Sequence, residues 1–130
     1  MSPSVPLSSN TSPRFGFSRD LRLLDGKAFQ AVFDQADWRT GQQCFLLLAR
    51  ETDQPFPRLG LVIAKRRIRR AVDRGAVKRR IREQFRLRQH ELSGLDIVVL
   101  MRGPLPAGKE NWTPQLARLF DKLLAKRRQD

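Results

Sequence analysis

Twelve lysines and arginines fall between Lys65 and Arg88, against two acids, Asp73 and Glu83. That one stretch carries +10 of the chain's net charge of +13. A concentrated positive field attracts a polyphosphate backbone and releases its condensed counterions on contact. Arginines outnumber lysines here, and a guanidinium adds bidentate phosphate geometry and can stack on an exposed base. A merely solvated helix would mix both signs along its face, which this stretch does not. Nucleic-acid binding is therefore the first expectation, and single-stranded RNA would want aromatic platforms beside the basic groove. Phe29 and Phe33, one helical turn apart, can serve as such a platform or as ordinary core.

The residues that would carry catalysis by the protein itself are not grouped. One histidine (His90) and one cysteine (Cys44) leave no metal-ligand spacing and no nucleophile–base pair. His90 is expected to be solvated or to face RNA. Cys44, inside an apolar run, reads as a small core residue rather than a reactive thiol. The carboxylates are scattered singly, whereas a two-metal nuclease needs several converging on its ions. No Gly-rich phosphate loop precedes a helix. An autonomous nuclease is not expected.

The elements that must position the cations follow from periodicity. With 130 residues, 40% hydrophobic, the chain suits one domain with a single core. Residues 1–13 (MSPSVPLSSNTSP) are Ser/Pro-rich and are expected to be a disordered extension, with one domain over 14–128. A short helix is expected from about Gly26 to Ala36, with Asp25 as N-cap and Leu24 stapled on Phe29. Phe29, Val32, Phe33 and Ala36 form its apolar stripe. Thr40-Gly41 breaks the pattern. Cys44–Ala49 and Leu59–Ala64 read as strands, expected to pair as an antiparallel hairpin across the proline-bearing loop ETDQPFP.

The basic helix should run from Ile68–Arg70 to about Leu92. Val77, Ile81, Phe85 and Leu92 share one side of it, while Lys78, Arg79, Arg82 and Arg86 occupy an adjoining arc of roughly 100°. Gly75, in its first turns, costs about 1 kcal/mol relative to alanine. Ser93-Gly94 ends the helix, and LDIVVLM (Leu95–Met101) is the strongest strand signal. Thr113 is expected to cap a last helix with Pro114 at its first position. Leu116, Leu119, Phe120, Leu123 and Leu124 stripe that helix, and Lys122, Lys126, Arg127 and Arg128 suit the negative end of its dipole. The order implies an α+β sandwich with a small sheet packed by helices mainly on one side. No apolar run approaches the roughly 20 residues of a membrane span, and no signal-peptide pattern opens the chain. A cytoplasmic protein is expected.

Four blocks resemble the protein component of bacterial ribonuclease P. They are FGFSRDLRLLDGKAFQAVF, RLGLVIAKRRIRRAVDRGAVKRRIREQFRLRQHEL, LDIVVLMRG and the leucine-striped last helix. The resemblance implies an α-β-β-β-α-β-α order with a left-handed crossover through the basic helix, against the usual handedness. It implies a subunit that helps remove the 5′ leader of precursor tRNA, the catalytic entity being the RNA subunit with Mg²⁺. Ribonuclease P RNA and precursor tRNA are the partners implied, with no obligate protein partner. Lys65, Arg66, Arg67, Arg70, Arg74, Lys78, Arg79 and Arg82 match the family's RNA-docking block. Phe29 and Phe33 match its leader-cleft aromatics, and Phe45 and Leu47 are the sheet-face candidates. One departure stands out: Gly75-Ala76 replaces an Asn-Arg pair of the family signature, with Arg80 expected on another face of the helix. The rival class is a general nucleic-acid-binding accessory protein of ribosomal or nucleoid type.

Overall fold

The computed structural model describes residues 26–129, and the readings on residues 1–13, Leu24 and Asp25 lie outside that range. The chain runs α1 (Gly26–Gln35), β1 (Trp38–Gln42), β2 (Phe45–Glu51), β3 (Arg58–Val62), α2 (Ala71–Leu87), β4 (Leu95–Met101), a 3-10 turn (Lys109–Asn111) and α3 (Trp112–Gln129). The four strands form one sheet in the order β1-β2-β4-β3. The α+β class is as the sequence implied.

The strand pairing is not. β2 and β3 do not form a hairpin, because β4 lies between them, antiparallel to β2 and parallel to β3. The physical reason is burial: LDIVVLM is the most apolar strand, and the centre is the one place where both faces and both edges are covered. Leu95, Ile97, Val98 and Val99 have no exposed surface at all. β2 pairs its other edge with β1, across a two-residue turn at Gln43-Cys44. Thr40-Gly41, expected to break the pattern, belongs to β1. Gln43 takes φ 48°, the left-handed conformation that such a tight turn demands.

The two faces of the sheet differ. On one, Phe45, Leu47, Ile97 and Val99 meet Val77, Ile81 and Phe85 of α2 and Leu116, Leu119 and Phe120 of α3. On the other, α1 seals a much smaller cluster, with Val32 against Leu48 and Val98. There the outer end of the Phe29 ring abuts β3 at Gly60, where any Cβ would overlap it. That close approach is why glycine stands in the strand.

Element ends shift for local reasons. α2 stops at Leu87, earlier than expected, and residues 88–94 continue as turns. These bring Leu92 into the core, and Gly94 (φ 81°) turns the chain into β4. α3 starts at Trp112 rather than after Thr113. The preceding 3-10 turn leads into it, with Asn111 Nδ2 donating to Ala107 O. Pro114 still falls in the first turn, where its missing N–H costs nothing.

Candidate nucleic-acid interface

The junction between β3 and α2 displays the cations. Ile63 and Ile68 are buried to 9% and 5% exposure and pin the segment to the core. Between and after them, Lys65, Arg66, Arg67, Arg69 and Arg70 all stand exposed. Ala64 O accepts from Arg67 N (3.0 Å) and Ile68 N (3.4 Å), which closes the turn. Arg74 reaches back from α2, its Nη1 donating to Ile68 O (2.8 Å) and Arg69 O (2.9 Å). Lys65, Arg66, Arg67 and Arg69 have no side-chain partner among the described residues. Arg70 lies 3.7 Å from Asp73. The start of α2, with no side-chain cap, adds the positive end of its dipole to the same field.

Along α2 the sequence-assigned cations divide. Arg79 is exposed, while Lys78 and Arg82 are half-buried beside it. Arg86 is tied to Glu83 at 2.6 Å, and that hydrogen bond holds the Glu83 carboxyl below the usual range. Arg88 crosses to α3, bonding Asp121 (3.1 Å) and Gln84 Oε1 (2.7 Å). Arg80 is not on a face apart from Ala76. Four residues on, it stands about 40° away on the same side, and its guanidinium lies 5.0 Å from the ring centre of Trp112. Ala76 itself is only 8% exposed, packed in the core. The arginine that the family signature places there has thus been replaced on the closed side of the helix, away from the exposed loop. At Gly75 a Cβ would meet only Arg79 Nη1, at 3.3 Å.

The α1 side of the sheet offers a different surface. Phe33 is 42% exposed and Val62 41%. Val62 shares the face of Gly60, two residues before it, so both belong to the side that α1 covers incompletely. Phe29 is half-buried against the sheet. Phe45 and Leu47 are not on this surface. Both are fully buried in the α2/α3 core. Side chains alternate along a strand, so a choice of the wrong parity moves every residue to the opposite face. The residues of β2 and β4 that face α1 are Leu46, Leu48, Val98 and Leu100. Arg102 continues that parity beyond β4, and its guanidinium lies where a Cβ on Gly41 would be. These were missed, yet the polar residues marked the parity: Arg50 and Asp96 are register partners, as are Arg58 and Asp96.

Other polar groups serve the fold. Arg58 grips the buried Asp96 carboxylate with two bonds, 2.8 and 2.7 Å. Lys122 donates to Gly41 O (2.8 Å) and Lys126 to Arg39 O, occupying the carbonyls of edge strand β1. Arg127 donates to Glu91 O (2.9 Å) and Ser93 O (2.7 Å). Three of the four cations first assigned to the dipole of α3 thus bond other elements. Cys44 is 4% exposed, and burial pushes its thiol up, as suits a core residue. His90 is exposed in the turns after α2. Among the described residues, no three His, Cys, Asp or Glu side chains gather where they could hold a metal ion. No described helix is long and apolar enough to cross a membrane.

A small α+β sandwich that turns its uncommitted cations outward on one loop and helix face is a nucleic-acid-docking protein. Comparison with known proteins narrows this. A family model described as Ribonuclease P matches residues 17–127. A ribonuclease P protein component from Alcanivorax borkumensis is 55% identical over 87% of this chain and 94% of its own length. One from Stutzerimonas stutzeri is 48% identical over 83% of this chain and 80% of its own. The solved structure of the RNase P protein from Thermotoga maritima superimposes with a TM-score of 0.62 at 25% identity, covering 81% of this chain and 96% of that one. The chain belongs to the ribonuclease P protein component family, and as such is a subunit of an endoribonuclease that associates with ribonuclease P RNA.

Proposed function

We propose that this subunit docks on the RNA subunit through the 64–70 loop and the exposed flank of α2. In the same reading it holds the 5′ leader of precursor tRNA between α1 and the open sheet face, promoting endonucleolytic maturation of the tRNA 5′ end. The observation behind it is the set of four loop cations, Lys65, Arg66, Arg67 and Arg69, that have no side-chain partner among the described residues. Desolvated or internally paired arginines add little to a distant phosphate, whereas exposed ones on a closed turn can each neutralise one. Phe33 and Val62 would receive the leader, an unstacked strand whose bases can lie on an aromatic face. The chemistry belongs to the RNA and its Mg²⁺ in this reading. The described carboxylates of this chain do not converge into a magnesium site, and no step is assigned to them. The work would take place in the cytoplasm, where precursor tRNA is made.

Reconstitution tests it. The protein is mixed with ribonuclease P RNA from its own source and precursor tRNA at low Mg²⁺, with RNA-only and protein-only controls. Mature 5′ ends appearing only with both components is the expected result. Binding without any stimulation of cleavage would leave a general nucleic-acid binder. Phe33→Ala should weaken binding of precursor tRNA more than of mature tRNA. Equal losses would return Phe33 to a packing role.

A further inference from the structure

Arg74 sits in the basic block, yet its guanidinium is turned inward. One nitrogen, Nη1, donates to both Ile68 O and Arg69 O, two consecutive carbonyls of the loop that precedes its own helix. Its backbone N–H donates to Arg70 O at 3.1 Å, so main chain and side chain close on the same segment. On the other side Ile68, 5% exposed, anchors the turn in the core, and Ala64 O holds its two amides. The turn is therefore fastened from three directions, while every cation it displays is left outside.

We propose that Arg74 is a positioning residue for RNA docking: it fastens the 64–70 turn so that Lys65, Arg66, Arg67, Arg69 and Arg70 are presented in one geometry. This rests on the docking reading above and assigns Arg74 a role distinct from that of its neighbours. Five long cationic side chains on a loose loop would each still find a phosphate. The loop would have to be ordered at the moment of binding, and that cost lowers affinity without changing the number of ions released.

The two roles separate in the salt dependence of binding to ribonuclease P RNA. Arg74→Ala should bind about tenfold more weakly, as expected from losing preorganisation, with the slope of log K against log salt as in the wild type. In the free protein, hydrogen exchange at the Arg67 and Ile68 amides should quicken while the central amides of β4 keep their protection. Ile68→Ala loosens the same turn without removing a charge and should repeat the pattern, which guards against a peculiarity of one variant. The Arg74→Ala penalty should also shrink when Arg66 and Arg67 are already alanine, because there is then less for the turn to position. A slope reduced by about one unit with loop exchange unchanged would make Arg74 a phosphate contact and overturn the proposal. So would an unchanged affinity, or a penalty of full size in the Arg66→Ala, Arg67→Ala background. If wild-type protein binds duplex DNA as tightly as ribonuclease P RNA at matched salt, the docking reading fails instead. The exchange measurement is made without RNA and is independent of that outcome.

Discussion

The cations of α3 and those of the 64–70 loop have the same charge and opposite employment. Lys122, Lys126 and Arg127 spend their donors on carbonyls of β1 and of the turns after α2. Lys65, Arg66, Arg67 and Arg69 spend none of theirs on the described protein. The difference is supply of acceptors. An edge strand and a chain of turns leave carbonyls unpaired, and nearby cations take them, which also blunts β1 against pairing with another sheet. The loop satisfies its own backbone through Ala64 and Arg74, so its remaining cations bind no acceptor among the described residues. Charge count alone does not locate an interface; the local balance of unpaired acceptors does.

That contrast can be broken by substitution. The largest effect is expected at the most committed cation, Arg58, whose loss leaves the Asp96 carboxylate buried and unpaired. Arg58→Ala should lower unfolding free energy by about 3–5 kcal/mol, read from urea denaturation. Replacing both partners with apolar residues should recover much of it. Arg127→Ala comes next, at about 1 kcal/mol of stability, with the salt slope of RNA binding unchanged. A reduced slope there would put α3 on the docking surface and erase the division. Arg66→Ala is the mirror image: stability within about 0.5 kcal/mol of wild type, and a salt slope lower by about one unit.

The smallest effect belongs to Glu83 and Arg86. Their exposed pair depresses the Glu83 carboxyl, so its contribution is present above the ordinary carboxylate pKa and is lost as pH falls through the depressed folded value. Glu83→Gln should therefore lower stability slightly at neutral pH, leave it unchanged at low pH, and so flatten the acid limb of a stability–pH curve. A large change at neutral pH would show a structural role that the exposed pair does not suggest.

The helices were legible because each has an apolar stripe of period 3.6 that tertiary packing reinforces. Val77, Ile81 and Phe85 are fully buried on α2, and Leu116, Leu119, Phe120 and Leu123 on α3. The sheet was legible in composition but not in order. Neighbouring strands in sequence were expected to neighbour in space, while the apolar excess of β4 placed it between β2 and β3. Periodicity did not locate β1, which entered only through the α-β-β-β-α-β-α order that the resemblance implied, because Trp38–Gln42 is polar and contains Gly41, as an edge strand covered by α3 can be. The loop cations were readable as a charge run, and the family signature added the docking block. What a charge run does not contain is direction. Arg74, Arg80 and Arg88 belong to the same run as Arg66 and Arg67, yet they point to Ile68 O, Trp112 and Asp121. Phe45 and Leu47 failed for a simpler reason, a parity that the even-numbered polar residues of β2 and β4 could have settled.

The place of β4 has a consequence for how the molecule is made. β3 has one neighbour in the sheet, and its partner for Arg58 lies 38 residues later. During synthesis β1 and β2 can close as a local hairpin, but β3, the cationic turn and α2 emerge before anything exists for β3 to pair with. Closing that long loop is the slow, non-local step. Until it closes, the most positive quarter of the chain is unanchored. A nascent chain ending before Leu95 should therefore bind RNA without discrimination and resist salt less than the finished protein. Selectivity would arrive with the seven residues of one late strand.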